Sequence, residues 1–79
     1  MSIIIYTKPD CVQCHATCRA LDSKGIRYRK VDVQQDQQAL DYVRSLGFQQ
    51  VPVVETAGDS WSGFRPDKIG ALAAAAVAL

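Results

Sequence analysis

The distribution of apolar and polar positions along the chain predicts two kinds of element, strands from continuous apolar runs and helices from apolar residues at helical spacing. Segments rich in β-branched and aromatic residues predict strands at positions 2–6, 26–33 and 51–55. A shorter segment at 60–64 predicts a fourth strand. Between and after these segments, apolar residues recur at helical spacing, which predicts three helices. The predicted order is therefore β-α-β-α-β-β-α.

Residues with known end preferences mark where the first two helices begin and end. Asp10 is the expected N-cap of the first helix, because its carboxylate can accept a free backbone N–H, and Cys11 opens that helix. Gly25 supplies its C-terminal stop. Asp36 is the expected cap of the second helix, and Gly47 ends that helix.

The third helix and the buried faces of all three helices follow from the same pattern. Pro66 suits the first turn of the third helix because its missing N–H is not needed there, and Asp67 suits the positive end of the dipole. The faces expected to be buried are Cys14, Cys18 and Leu21, flanked by Ala16 and Ala20, then Leu40, Val43 and Leu46, and finally Ile69, Leu72, Ala73 and Ala76.

These elements predict one α/β domain that spans residues 1–79. The strand, helix, strand start implies a parallel pair joined by a right-handed crossover. The turn at 57–59 implies an antiparallel hairpin that closes a four-stranded mixed sheet, with helices on both faces. Pro52 is awkward inside a strand because it has no N–H to donate, so it belongs at the strand start or at a sheet edge.

Composition narrows the possible functions. The chain has 79 residues, a formal net charge of +1, 48% hydrophobic residues and 22% charged residues, which is an ordinary globular balance. It has no Lys/Arg cluster, so we expect no nucleic-acid partner. Its apolar N-terminal run and Ala-rich C-terminal end are too short to cross a bilayer, and no basic leader precedes the first strand. We expect a cytoplasmic monomer without a membrane partner.

The candidate chemistry lies in the run Cys11-Val12-Gln13-Cys14, at the predicted start of the first helix. Two residues between the cysteines bring both sulfur atoms within bonding reach across one helical turn. Unpaired N–H groups and the positive dipole end favour a thiolate there, and such a setting commonly lowers a thiol pKa from about 8.5 to roughly 7 or below. We therefore expect Cys11, supported by the charge of Lys8, to attack, and Cys14 to resolve.

Two other chemistries use similar cysteine patterns. Cys11, Cys14 and the adjacent His15 match a haem-attachment motif, but that cofactor needs an export route and usually a second axial ligand. The four residues that could instead bind copper or zinc, as in a small metal-carrier domain, are Cys11, Cys14, His15 and Cys18. All four lie close together on one predicted helix, and His15 points about 100° away from Cys14. We therefore expect no bound metal.

The third cysteine, Cys18, follows Cys14 by one helical turn. An odd count of three cysteines argues against the disulfide framework of a secreted domain. We expect Cys18 to be a buried small apolar residue that faces the sheet, although a regulatory disulfide stays open as an alternative. His15 is expected to be a partly exposed helix residue and not a general base.

Three segments carry a resemblance to a known family. They are residues 5–17 (IYTKPDCVQCHAT), 47–54 (GFQQVPVV) and 61–67 (WSGFRPD). Together they resemble the thioredoxin/glutaredoxin superfamily and, more narrowly, the NrdH-redoxins, which are glutaredoxin-like electron donors of class Ib ribonucleotide reductase. The resemblance extends over essentially the whole chain, and the third segment is its most specific part.

The resemblance implies a thioredoxin-like fold and a thiol–disulfide oxidoreductase whose redox-active disulfide is Cys11–Cys14. It also implies that Pro52 follows a cis peptide bond beside this disulfide, and that Val51 offers its backbone to an extended substrate strand. A loop that binds partners would lie next to the active site, and its residues are Trp61, Ser62, Gly63, Phe64, Arg65, Pro66 and Asp67.

The family also implies partners and an electron source. Its members reduce the large subunit of class Ib ribonucleotide reductase, and NADPH-dependent thioredoxin reductase reduces them without a bound cofactor. Glutaredoxins typically hold glutathione with a Gly-Gly pair followed by acidic residues, whereas this chain has Phe64 and Arg65 at the corresponding place. A glutathione-dependent glutaredoxin or a general disulfide reductase is the alternative. Cys18 departs from the family pattern, as does Lys68, where relatives often have an apolar residue.

Overall fold

The predicted order of elements is the observed one in the computed structural model, which describes residues 3–77. The predicted strand start at Ser2 lies outside these residues. No helix within 3–77 is long and apolar enough to cross a membrane. The elements are β1 (Ile4–Thr7), α1 (Val12–Ser23), β2 (Arg29–Asp32), α2 (Gln37–Ser45), β3 (Val53–Glu55), β4 (Ser60–Ser62) and α3 (Pro66–Val77).

The four strands form one mixed sheet in the order β2-β1-β3-β4. Strand β1 pairs with β2 in parallel, so Tyr6 lies opposite Val31, and with β3 in antiparallel fashion, so Tyr6 also lies opposite Val53. Strands β3 and β4 form the antiparallel hairpin, in which Val54 faces Trp61. The predicted four-stranded mixed sheet with three helices, a thioredoxin-like fold, is confirmed.

Helices cover both faces of the sheet, as predicted. Because successive side chains of a strand point to opposite faces, Ile5 and Val54 face one side while Tyr6 and Val53 face the other. The core against α1 and α3 consists of Ile3, Ile5, Leu21, Val54, Trp61 and Ile69. The core against α2 consists of Tyr6, Val33, Ala39, Val43 and Val53.

The strands are shorter than their apolar patterns suggest. Strand β2 begins only at Arg29, because the N–H of Ile26 donates to the carbonyl of Leu21 and closes the end of α1. Strand β3 begins at Val53, since Pro52 has no N–H for the ladder. Strand β4 ends before Gly63, whose φ of 87° leaves the extended region.

Two predicted buried faces need correction. In α1 the fully buried position after Cys14 is Thr17, while Cys18 is half-buried. Thr17 is tolerated there because its hydroxyl donates to the carbonyl of Gln13 at 2.8 Å. In α2 the prediction for Leu46 was wrong: it is the C-cap, one residue past the helix, and its side chain is 40% exposed.

The predicted cap and stop of α2 and the predicted start of α3 are observed. Asp36 caps α2 by accepting from the N–H of Ala39 at 3.1 Å, and Gly47 follows the helix with a φ of 90°. Helix α3 begins at Pro66, with Asp67 in its first turn. On its predicted face Ile69 is buried, and the other apolar positions that are described are half-buried. The predicted contribution of the Ala76 side chain lies outside the described residues.

Candidate active site

The turn between β1 and α1 brings Cys11 to the tip of the helix. Asp10 has a φ of 59°, the left-handed conformation that Asp and Asn tolerate better than most residues. Cys11 then has extended backbone angles, φ −109° and ψ 105°, which are those of an N-cap. The prediction of Asp10 as the N-cap was therefore wrong, because Asp10 is used to turn the chain and Cys11 is the cap.

The Cys11 sulfur takes the place of the oxygen that usually caps a helix. Its Sγ accepts a hydrogen bond from the backbone N–H of Cys14 at 3.2 Å. This N–H is one of the first-turn donors that have no partner within the helix. A donor and the positive dipole end thus both point at the sulfur, so that a negative charge on it is stabilised once the bond to Cys14 is reduced.

The two cysteines of the motif form a disulfide across the first helical turn. Their Cα atoms lie 5.2 Å apart, within the usual range for a disulfide. Both residues are largely buried, whereas Val12 between them is 82% exposed. A partner can therefore contact the apolar side chain of Val12 directly beside the disulfide.

The loop before β3 lies against the same sulfur. The Val51–Pro52 peptide bond is cis, as the resemblance implies, and the Pro52 side chain is buried. The carbonyl oxygen of Val51 lies 3.9 Å from the Sγ of Cys11. Backbone atoms of Val51 therefore border the atom that reacts, and its role in binding a substrate strand stays a prediction.

The predicted partner-binding loop is tied to both other segments. The N–H of Gly63 donates to the carbonyl of Pro52 at 2.8 Å, and the hydroxyl of Ser62 donates to the carbonyl of Gln50 at 2.9 Å. A Cβ atom at Gly63 would lie 3.6 Å from Oε1 of Gln13, which stands between the two cysteines. The structure thus brings all three predicted segments together around the disulfide.

The rest of this loop divides into a buried anchor and an exposed tip. Trp61 is a core residue, only 5% exposed, while Phe64 is 38% exposed. Phe64 is exposed because it lies beyond the end of β4. The guanidinium of Arg65 binds the carboxylate of Asp67 at 2.9 Å and lowers the pKa of Asp67 through this hydrogen bond and its charge.

Lys68, which departs from the family pattern, contacts its own chain. Its Nζ lies 3.1 Å from the carboxylate of Asp59 and 5.9 Å from the centre of the Trp61 ring. The hydrogen bond from Lys68 and its positive charge lower the pKa of Asp59. Lys68 thus links α3 to the turn of the β3–β4 hairpin and lies over the anchor of the partner-binding loop.

A groove of about 430 Å³ opens beside Cys11. Among the described residues its charged lining side chains are Lys8 and Arg44, so we call it the cationic groove. Its apolar lining comes mainly from Val33, Leu40, Val43, Phe48 and Val51. Lys8 is exposed and lies on the same groove as Cys11, but its support of the thiolate stays a prediction.

A second groove, which we call the mixed groove, lies on the other side of the active-site turn and is lined by Cys14 and Cys18. Cys18, which was predicted to be buried, is only half-buried and packs on the flank of the core formed by α1 and α3. His15 is exposed, in agreement with its prediction. Within residues 3–77, no three His, Cys, Asp or Glu side chains lie close enough together to hold a metal ion.

Sequence reasoning missed two residues of the site. Gln13 was treated only as a spacer, yet its side chain contacts the position of Gly63 and lines the cationic groove. Arg44 was not singled out, and it lines the same groove from the last turn of α2. The position of Gln13 within the motif could have identified it, whereas Arg44 comes close only through the packing of α2.

Comparison with known proteins agrees with this geometry. The family model described as Glutaredoxin matches residues 3–61. The glutaredoxin-like protein NrdH of Salmonella typhimurium is 53% identical over 72 residues, which is 91% of this chain and 89% of that protein. Its counterpart in Escherichia coli strain K12 is 49% identical over the same shares.

Solved structures give the same result. The NrdH-redoxin of Escherichia coli, described as glutaredoxin-like with a thioredoxin-like activity profile, superposes with a TM-score of 0.89 at 49% identity. The match covers 91% of this chain and 95% of that one. The thioredoxin-like protein BC3987 superposes with a TM-score of 0.80 at 28% identity, over 89% of this chain and 97% of its own.

Proposed function

Because this chain belongs to the glutaredoxin family, among its NrdH-type members, we propose that it is an electron donor for class Ib ribonucleotide reductase. In this proposal the dithiol form of Cys11 and Cys14 reduces a disulfide in the large subunit of that enzyme. The observation that carries the proposal is the Cys11 sulfur, capped by the Cys14 N–H and bonded to Cys14 across one turn.

The proposed reaction is two successive thiol–disulfide exchanges. The thiolate of Cys11 attacks one sulfur of the target disulfide, which forms a mixed disulfide and releases the other target sulfur as a thiolate. Cys14 then loses its proton and attacks the Cys11 sulfur, which releases the second target thiolate. The target disulfide gains two electrons, and Cys11 and Cys14 lose two electrons as they form their disulfide.

The neighbouring segments have distinct roles in this proposal. The backbone of Val51, next to the Cys11 sulfur, pairs with an extended substrate segment by strand addition. The positive charge of Lys8 supports the attacking thiolate. The partner-binding loop, with Phe64 exposed near its tip, contacts the partner's surface beside Gln13.

We propose that thioredoxin reductase and NADPH, and not glutathione, return the protein to its dithiol form. The described activity profile of the Escherichia coli relative, which is thioredoxin-like, supports this electron source. The exposed lip at Phe64 and Arg65 also supports it, because this lip is bulkier and less acidic than the segment with which glutaredoxins hold glutathione. Such a cycle needs a reducing compartment, so we place it in the cytoplasm.

The test compares two electron sources for the reduction of one disulfide target. The oxidised large subunit of a class Ib ribonucleotide reductase is mixed with this protein and with either thioredoxin reductase or glutathione plus glutathione reductase. We expect rapid NADPH oxidation and deoxyribonucleotide formation in the first mixture and little in the second. Rapid turnover in the second mixture alone would identify a glutathione-dependent glutaredoxin. Turnover with unrelated disulfides but not with this subunit would leave a general disulfide reductase.

A further inference from the structure

The two grooves that flank the disulfide differ in charge. The cationic groove presents Lys8 and Arg44, and no carboxylate from the described residues lines it. The mixed groove presents Lys8 and Lys30 together with Asp10 and Asp32, so its charges balance. A ligand beside Cys11 therefore meets positive charge on one side of the disulfide and no net charge on the other.

Both cations of the cationic groove are free to bind a ligand. Lys8 and Arg44 are exposed, and neither forms an ion pair within the described part of the chain. The acidic residue nearest to Arg44 in sequence is Asp41, whose carboxylate accepts a hydrogen bond from Gln37 at 3.0 Å. Within the described residues, no ion pair therefore compensates the charge that Arg44 brings to the groove.

We propose that the cationic groove selects disulfides that lie in an extended, acidic segment of a partner protein, and that Arg44 determines this specificity. This inference rests on the proposed function, since it concerns the target of the same dithiol. The segment pairs with the backbone of Val51, and its apolar side chains contact the groove between Val43 and Phe48. A carboxylate near its cysteine binds the guanidinium of Arg44, which suits planar, two-pronged contacts with carboxylates.

A basic residue in the last turn of α2 also has a structural explanation. A cation there interacts favourably with the negative end of the helix dipole. That explanation predicts an effect of Arg44 on stability but none on the choice of substrate. The two explanations can therefore be separated by measuring how the rate depends on the charge of the substrate.

The experiment uses three intramolecular disulfide peptides that differ only in the residues flanking the cysteines, which are Glu, Lys or Ser. Reduced protein is mixed with excess peptide, and peptide thiols are quantified over a single turnover, so no reductase is required. Wild type is compared with Arg44→Glu and with Arg19→Glu, which makes the same charge change at an exposed position of α1 outside the groove. Oxidised glutathione is a fourth substrate.

We expect wild type to reduce the Glu peptide about tenfold faster than the Lys peptide, with a smaller ratio at high salt. Arg44→Glu should reverse this preference, while Arg19→Glu should keep it. Equal ratios in all three proteins would overturn the inference, even though reduction of the Ser peptide upholds the redox chemistry. Reduction of oxidised glutathione at the rate of the Glu peptide, with the same dependence on Arg44, would overturn the assignment to a protein segment. Failure to reduce any peptide would contradict the proposed function itself.

Discussion

The first turn of α1 and the turn after it both hold cysteine, in contrasting surroundings. Cys11 and Cys14 form a disulfide at the helix tip, where a backbone N–H points at the Cys11 sulfur and the loops at Val51 and Gly63 close in. Cys18, one turn further, lies half-buried on the flank of the core. Residue type is the same in all three cases, so we expect position along the helix to determine reactivity.

The physical difference lies in the backbone donors. At a helix start the first N–H groups have no carbonyl partner within the helix, whereas by the position of Cys18 every N–H is used by the residue four before it. The surroundings of Cys18 are instead packing contacts. One of them is Tyr28, whose pKa is raised by burial and by its neighbours Asp22 and Cys18. A helix tip therefore stabilises a thiolate in a way that the helix interior does not.

The largest effect is expected from exchanging the two cysteines of the pair for serine. Cys11→Ser removes the attacking atom and should lower disulfide reduction by at least about a thousandfold. Cys14→Ser should also stop turnover, but it should trap a mixed disulfide between Cys11 and the target, because nothing resolves it. Mass spectrometry of the intact adducts checks both. An adduct through Cys14 in the Cys11→Ser protein would reverse the assigned roles.

A smaller effect is expected from a methyl group beside the pair. Gly63 has a φ of 87°, where a side chain costs about 1–2 kcal/mol, and its Cβ would contact Gln13. Gly63→Ala should therefore lower stability by that amount and slow disulfide reduction several-fold. The matched control is Gly58→Ala, in a turn where a Cβ meets nothing within 4 Å. Chemical denaturation and single-turnover rates check the pair, and equal behaviour of the two variants would contradict the role of the loop.

The stability of the folded protein is expected to fall at alkaline pH, and this limits the pH range over which the cysteines can be compared. Burial, followed by the charge of Glu55, raises the pKa of Tyr6 to about 12 from an ordinary value of 10.0. The folded state therefore holds this proton more tightly than the unfolded state. The stability that Tyr6 contributes is complete below pH 10 and is lost as the pH rises towards 12.

Denaturation of the oxidised protein across this alkaline range tests the assignment. Wild type should lose stability between about pH 10 and pH 12, and Tyr6→Phe should lose less over the same interval. Tyr42→Phe is the companion variant, because Tyr42 binds the same carboxylate of Glu55 from the exposed side of α2. An unchanged slope in Tyr6→Phe would assign the alkaline loss to other groups.

The smallest effect is expected at the third cysteine. Cys18→Ser should change the free energy of unfolding by about 1 kcal/mol or less, and disulfide reduction by no more than about twofold, because Cys18 is only half-buried. A large loss of reductase turnover with the fold intact would show that Cys18 takes part in the exchange. It would also remove the contrast between the helix tip and the second turn.

Most of the fold was predictable because local signals agree with one another. The Asp36 cap, the stops at Gly25 and Gly47, and the β-branched run of β1 all act through neighbours in sequence. The error in α1 arose where a side-chain hydrogen bond, and not apolar character, allows burial. Thr17 is buried because its hydroxyl finds a partner in Gln13, which no count of apolar residues includes.

The site was predictable in its chemistry and less so in its surroundings. The spacing of Cys11 and Cys14 identified the pair, and the family resemblance implied the cis peptide bond before Pro52. The cap at Cys11 was missed, because Asp is the commoner cap and the left-handed turn at Asp10 leaves no local signal. Arg44 was missed because only the packing of α2 brings it near the disulfide.

The central claim is that the helix tip ionises the Cys11 thiol. It is tested most directly by following ultraviolet thiolate absorbance against pH in reduced Cys18→Ser protein, in which only Cys11 and Cys14 remain. We expect one thiol to ionise well below the ordinary pKa of about 8.5, and iodoacetamide to label Cys11 first. Ionisation of both thiols only at or above that value, with equal labelling of the two, would contradict the account.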